Sequence, residues 1–384
     1  MSRKKKIAYV ICGSYSNNSQ GRIFKEIHSF AKIASVKLFS IRLNKEQKKN
    51  GKEGSVSIER INFAILRKIG FPLYKIKLIL PFYTMKVLFR IIIFSPDIIV
   101  FRNLFAAHIG LIVKKILNIK CIYDSGELFI DQNERTNIHH WFRKMIMKYE
   151  KFIANRVDAV IQATPARARQ FERYYGVKAI PIMNKAIPAP FDQKIPERMK
   201  QFFNTDKKII GYIGAINPNR GLEQIIEAVS EMKNIIIVFI GPKGKWGTKF
   251  VDENKDRIRW IPPVAHDEVT AAIKVFDIGI TIIQNSSLSY YYSCPTKVWE
   301  MIVAGVPQIS SNFPEIEKLL LHNPVGPLGR VINPSDGEEL RRTIIVMLNS
   351  PDDLETYKKN CIKIQPYCKW KSEEEKLLKL VNFL

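Results

Sequence analysis

The chain has 384 residues, 46% of them hydrophobic and 11% aromatic, which is too much apolar material for a disordered chain and too long for one typical core. With 61 Lys and Arg against 36 Asp and Glu, its formal charge is +25, so anionic partners are expected. Five scattered cysteines without CxxC spacing argue against a disulfide framework or a zinc site and fit a reducing compartment.

The opening MSRKKK precedes an apolar run that ends at Cys12, too short for the core of an export signal. It reads as a first buried strand over 6–12. Further strands are expected at 36–41, 97–101, 120–123 and 159–162, with helices at 21–34, 104–117, 139–155 and 165–175. Residues 42–60 are polar and read as a loop. This alternation of β-branched runs with amphipathic stretches is the pattern of a parallel sheet covered by helices. No stretch reaches the roughly 18 apolar residues that a membrane-spanning helix needs.

The charge is unevenly placed. Residues 1–90 hold 20 Lys and Arg but 4 Asp and Glu. Within them, residues 62–94 interleave basic and bulky apolar side chains, a composition suited to an anionic membrane surface. An ordinary core helix with a basic solvated face is the alternative. Nucleic acid ranks below both, because no nucleic-acid-binding module accompanies the charge.

Prolines around 181–196 mark a linker. A second alternating series follows, with strands at 209–213, 235–240, 258–261, 278–283 and 308–310. Helices are expected at 222–232, 268–276, 296–304 and 314–321. Ligands of such sheets sit at the carboxyl ends of the strands, so a cleft between two α/β domains is the expected site.

Two segments of the second series carry chemistry. In GYIGAINPNRG, residues 211–221, a strand runs through a glycine loop into a helix. Backbone N–H groups can approach an anion there, and Arg220 can meet a diphosphate with two hydrogen bonds. Alone, a glycine at a strand end is ordinary turn chemistry. In SCPTKVWEMIVAGVP, residues 293–307, Pro295 suits a helix start, and Lys297 and Glu300 share a face of the first turns. A carboxylate there can accept from two vicinal hydroxyls while Lys297 meets phosphate; a surface salt bridge is the plainer alternative. Lys243, in a glycine loop after a strand, is a weaker phosphate candidate.

Together these segments resemble the retaining glycosyltransferases of family 4, in the branch that assembles bacterial capsule, exopolysaccharide and lipopolysaccharide. That family reads G-x-I-x-x-x-R/K-G-L-E-x-I-I-E-A, matched from Gly214 through Arg220 and Gly221 to Ala228. Its P-x-K-x-x-E pattern is matched by Pro295, Lys297 and Glu300, followed by Met301, Gly305 and Pro307. Weaker matches are Tyr123-Asp124 with Glu127, Asn184, and the stretch 275–280. Three positions depart: Tyr292 replaces a glutamate, Ala215 an arginine, and Gly126 the histidine before Glu127.

The resemblance implies a GT-B fold, meaning two doubly wound Rossmann-like α/β domains facing a cleft. Residues 1–188 would bind the acceptor, 189–206 link, 207–365 bind the nucleotide-sugar, and 366–384 pack back as a helix on the first domain. Catalytic candidates are Glu127 and Arg220. Donor-binding candidates are Gly214, Arg220, Lys243, Pro295, Thr296, Lys297 and Glu300, and the acceptor or donor-sugar loop contributes Gly13 and Arg22. The implied partners are a nucleotide-sugar and a saccharide or lipid-linked acceptor, in a cytoplasmic enzyme peripheral on the inner face of the plasma membrane. No cofactor is expected and, since the chain has no D-x-D motif, no metal. A nucleotide-sugar epimerase of the same fold, or a non-catalytic binding partner, remains the alternative.

Overall fold

The computed structural model describes residues 3–15, 21–42, 47–62, 76–131, 140–188, 194–218 and 220–384. Residues 16–20 of the first loop, 63–75 of the basic apolar stretch and His139 lie outside them. The chain divides into two units, one formed by Met1–Met183 with Glu373–Leu384 and the other by Asn184–Ser372.

The N-terminal unit runs β1 (Lys6–Ile11), α1 (Arg22–Ala31), β2 (Ser35–Ile41), β3 (Asn50–Glu53), β4 (Val56–Ile61), α2 (Ile76–Phe94), β5 (Ile98–Arg102), α3 (Ala107–Leu117), β6 (Lys120–Asp124), α4 (His140–Ala154), β7 (Ala159–Gln162), α5 (Pro165–Tyr175) and β8 (Ile180–Pro181). Its sheet has the order β3-β4-β2-β1-β5-β6-β7-β8. All pairs are parallel except β3 with β4. That hairpin corrects the loop expected over 42–60. Gly54 turns at φ 58°, and Val56 and Ile58 alternate into the core. Few apolar residues mark this hairpin because it finishes a sheet edge, where burial is one-sided.

The C-terminal unit runs α6 (Glu197–Phe203), β9 (Lys208–Ile213), α7 (Leu222–Ala228), β10 (Ile235–Ile240), α8 (Lys245–Glu253), β11 (Ile258–Ile261), α9 (His266–Ile273), β12 (Ile278–Thr281), α10 (Leu288–Tyr291), α11 (Thr296–Val303), β13 (Gln308–Ser311), α12 (Pro314–Leu320), β14 (Gly329–Ile332), α13 (Gly337–Leu348) and α14 (Pro351–Cys368). Its sheet is fully parallel, in the order β11-β10-β9-β12-β13-β14. Helix α6 falls inside the stretch expected to be a plain linker; its Met199 is buried against Ile209 and Ile273 in the core of this unit.

Helix α15 (Lys371–Phe383) closes the chain. The residues from Glu373 onward join the N-terminal unit. Glu374 accepts from Ser29 Oγ at 2.8 Å and Lys32 Nζ at 2.6 Å, and Glu373 accepts from the Met183 amide at 3.0 Å.

In each sheet the strand order reverses beside the first strand. The switch lies between β1 and β5 in one unit and between β9 and β12 in the other. A crevice opens at the carboxyl ends of strands at such a point. The chemistry-bearing loops follow β1, β6 and β9, and the stretch leading to α11 follows β12.

Candidate functional site

Strand β9 alternates Ile210 and Tyr212 into one core of the C-terminal unit and Ile209 and Ile213 into the other. The Tyr212 phenol points up its own face, and its oxygen donates to the Ala215 carbonyl at 2.9 Å. At Gly214 the backbone turns at φ 140°, a region closed to most side chains. A Cβ there would lie 2.3 Å from Lys297 Nζ. The glycine therefore opens the space that the lysine ammonium occupies.

Lys297 arrives from the first turn of α11. Its Nζ donates to Tyr212 Oη at 3.0 Å and sits 4.4 Å from the ring centroid. Burial is the largest influence on this amine, the Arg220 guanidinium adds to it, and Glu300 opposes both; the balance lowers it to about 7. The same influences bring Arg220, Lys297 and Glu300 within electrostatic reach of one another at the end of β9. Arg220 lies over Tyr290, its guanidinium carbon 5.8 Å from the ring centroid. Pro295 is the N-cap of α11 with an extended backbone, φ −66° and ψ 151°. Thr296 is pinned by Asn184 Nδ2, which donates to its Oγ1 at 2.5 Å. The leading amides of α11 have no partner further back in the helix. The ensemble is two cations, a carboxylate and a helix start around a glycine, suited to a diphosphate with a neighbouring diol.

Lys243 belongs to the adjacent loop, where the Ile216 amide donates to the Pro242 carbonyl at 2.8 Å. Its ammonium, however, stacks on Trp260 at 4.1 Å and pairs with Asp252 at 3.9 Å. It does not join the Lys297 group. A hollow lined by Glu223, Trp246, Lys249 and Arg257 lies between α7 and α8 and holds none of the candidate residues.

In the N-terminal unit the carboxyl ends of β5 and β6 carry a buried ion cluster. Asp124, fully buried, receives Arg102 Nη1, and Arg22 Nη2 lies 3.3 Å away. Burial works to raise this carboxyl, but the Arg102 and Arg22 charges outweigh it and hold it below the usual carboxylate range. Glu26 is raised by its burial and by Asp124, against the pull of Arg22. It accepts from Tyr9 Oη at 2.6 Å. Arg22 also pairs with Glu26 at 2.7 Å and donates to the Ile182 carbonyl at 2.5 Å. The guanidinium expected to meet a ligand is thus committed inside the fold. Gly13 carries the chain away from β1, its carbonyl accepting from the Ile41 amide at 2.8 Å.

Gly126, where the resembled family has histidine, adopts φ 64°, and a Cβ would stand 3.1 Å from Arg102 Nη2. Glycine is required by the backbone, and an arginine fills the space beside it. Its carbonyl accepts from Arg167 Nη1 at 2.7 Å. Glu127 follows with its carboxylate 39% exposed and paired to Arg167 at 3.2 Å. Burial lowers Arg167 from the usual arginine range, and Glu127 opposes the shift.

Residues 193–364 match the family model described as Glycosyl transferases group 1. That match covers 172 of the chain's 384 residues. A Bacillus subtilis (strain 168) protein, TuaH, named for a glycosyltransferase role in teichuronic acid biosynthesis, is 22% identical over 207 residues, covering 52% of each chain. The chain spans about half the length of that curated relative. Among solved structures, sucrose-phosphate synthase from Thermosynechococcus elongatus superposes with a TM-score of 0.79 at 15% identity, covering 98% of both chains. Anabaena Alr3699/HepE in complex with UDP gives 0.71 at 14% identity, over 99% of this chain and 100% of that one. A UDP-forming alpha,alpha-trehalose-phosphate synthase from Burkholderia vietnamiensis gives 0.73 at 9% identity over the whole of both. At these identities the likeness establishes the fold, which is GT-B.

Within the matched residues 193–364, Gly214, Arg220, Pro295, Thr296, Lys297 and Glu300 gather at one strand end, and Lys243 stands beside them with its side chain turned elsewhere. Gly13, Arg22 and Glu127 belong to the other unit. Tyr212 and Tyr290, which flank the two cations, were not singled out from sequence. The signal for Tyr212 is its place in the strand: an aromatic two residues before the loop glycine must reach the strand's carboxyl end. Tyr290 gives no such signal. Among the described residues no group of three or more His, Cys, Asp or Glu side chains is placed to hold a metal ion.

Proposed function

We propose that the chain transfers a glycosyl group, with retention and without a metal, from a nucleotide-sugar to a hydroxyl of a lipid-linked saccharide during surface-polysaccharide assembly. The observation that carries this reading is the buried Lys297 ammonium, seated in the space that Gly214 leaves and within electrostatic reach of Arg220 and Glu300. The C-terminal unit would hold the donor, and the N-terminal unit the acceptor. Such an enzyme would work in the cytoplasm, peripheral on the inner face of the plasma membrane.

In this scheme Arg220, Lys297 and the leading amides of α11 bind the diphosphate, and Glu300 accepts from vicinal hydroxyls of the ribose or donor sugar. As the bond from the anomeric carbon to diphosphate oxygen breaks, charge builds on the leaving group where those cations already stand. The acceptor oxygen bonds to the anomeric carbon on the same face, and its proton passes to the departing diphosphate. Tyr212 holds the Lys297 ammonium in place, and Asn184 fixes Thr296 at the helix start.

A thermal-shift screen with UDP, GDP, ADP and their sugars tests the donor site; a ligand at 100 times its Kd stabilises by about 2.7 kcal/mol. Arg220→Ala and Glu300→Ala should lose most of that shift. Parental responses in both variants would overturn the site. Release of free nucleotide with an epimerised sugar, and no glycoside, would overturn the transfer.

A further inference from the structure

We infer that the outer faces of α2, α3 and α4 form one surface by which the N-terminal unit docks on an anionic lipid bilayer. This deepens the peripheral placement proposed above, yet it rests on residues that take no part in the donor site.

The topology assembles the surface. The crossovers β4 to β5, β5 to β6 and β6 to β7 all advance in the same direction along the sheet. Right-handed connections place their helices on one side. Their inner residues share a core, with Tyr83, Val87, Ile91, Ile109, Val113 and Ile153 all fully buried. Neighbours are stitched laterally. Thr84 Oγ1 meets His108 Nε2 at 2.6 Å, and Lys114 Nζ donates to the Arg156 carbonyl, just beyond α4, at 2.9 Å.

What faces outward is apolar and basic. Phe89 is 64% exposed, Ile93 63%, Ile116 57% and Trp141 66%. On α2, Phe82, Met85 and Phe89 recur at helical spacing along one stripe, and on α4 Trp141, Met145 and Phe152 do the same. Between them stand exposed Lys86, Lys115, Arg143, Lys144, Lys148 and Lys151. The three helices contain a single carboxylate, Glu150, and it is buried, accepting from Tyr123 at 2.7 Å and Tyr175 at 2.7 Å. A solvated face normally interleaves both signs of charge. Large apolar side chains among cations, on helices whose one carboxylate is buried, match acyl chains beneath anionic headgroups. The exposed Trp141 suits the headgroup boundary. None of the described helices is long and apolar enough to cross a membrane, so this contact lies in the plane of the interface.

Flotation of the full chain with vesicles of phosphatidylcholine and phosphatidylglycerol tests the inference. The parent should float with vesicles holding about a third phosphatidylglycerol, and Trp141 emission should shift to the blue. The triple variant Met85→Ser, Phe89→Ser, Trp141→Ser should weaken partitioning at least tenfold. Lys144→Gln, Lys148→Gln, Lys151→Gln should weaken it comparably at low salt. Control changes at Lys249 and Lys255 should leave it unaltered. A nucleotide thermal shift retained in every variant shows that each is folded and keeps the two tests separate. Failure of the parent to float, equal flotation of the apolar variant, or binding to an RNA oligonucleotide in preference to vesicles would overturn the docking surface and leave the donor site standing.

Discussion

Nucleotide-sugar binding should take up a proton, because Lys297 is poised to gain one. In the free chain its ammonium is withdrawn from water and faces Arg220, which lowers the amine to about 7. A diphosphate seated beside it favours the charged form and drives the value upward. With a bound value above about 10, uptake per site is about 0.5 proton at pH 7 and about 0.9 at pH 8. Affinity should then fall about fivefold from pH 7 to 8 and close to tenfold, about 1.4 kcal/mol, from pH 8 to 9. Titration calorimetry at pH 8 in buffers of different ionisation enthalpy reads the uptake directly. A nucleotide-sugar is the better probe than a nucleoside diphosphate, whose terminal phosphate titrates near 6 itself. Lys297→Met should abolish the uptake and weaken binding at pH 7 by tenfold or more. The same variant should raise Tm. The folded amine lies below its unfolded value, so the unfolded chain binds more protons between about 7 and the usual lysine value, and stability rises with pH across that window. The gain from methionine should therefore be largest at pH 6–7 and vanish near pH 10. Heats of binding independent of the buffer, in a parent that binds the nucleotide-sugar, would refute the reasoning.

Gly214→Ala places a Cβ 2.3 Å from Lys297 Nζ on a backbone at φ 140°, so nucleotide affinity should drop more than tenfold and stability by about 1–3 kcal/mol; titration and thermal melting check both. Asp124→Asn leaves the Arg22 and Arg102 guanidinia facing an uncharged amide in a buried site, and the urea midpoint should fall by the equivalent of about 3–5 kcal/mol. Gly126→Ala must hold φ 64° beside Arg102, costing about 1–2 kcal/mol by the same measurement.

The parallel sheets were legible because runs such as 6–11, 209–213 and 235–240 are continuously apolar, as strands covered on both faces must be. The Gly214 and Pro295–Glu300 segments were legible because each pairs a backbone feature with charged residues at fixed spacing. The hairpin of β3 and β4 was not, since its polar sequence finds a partner in β2, distant along the chain and invisible to local pattern. The ion cluster was hidden for a related reason. Arg22, Glu26 and Asp124 look like surface charges, and only the sheet topology, which brings α1 against the ends of β5 and β6, buries them together. Gly126 reads as a missing histidine in the sequence. In the structure it is a left-handed turn with Arg102 in the adjoining space, and that reason rests on a backbone angle no composition reveals.

The division of the chain has a consequence for how it emerges from a ribosome. Asn184–Ser372 is one continuous stretch and can close as soon as it has been synthesised, whereas the unit begun at the amino terminus still lacks Glu373–Leu384. Until those twelve positions are made, Ser29, Lys32 and the Met183 amide wait without the carboxylates that later receive them. The half translated first is therefore completed last. A clone stopped at residue 372 would keep every residue from 3 to 183 and still show its lesion there.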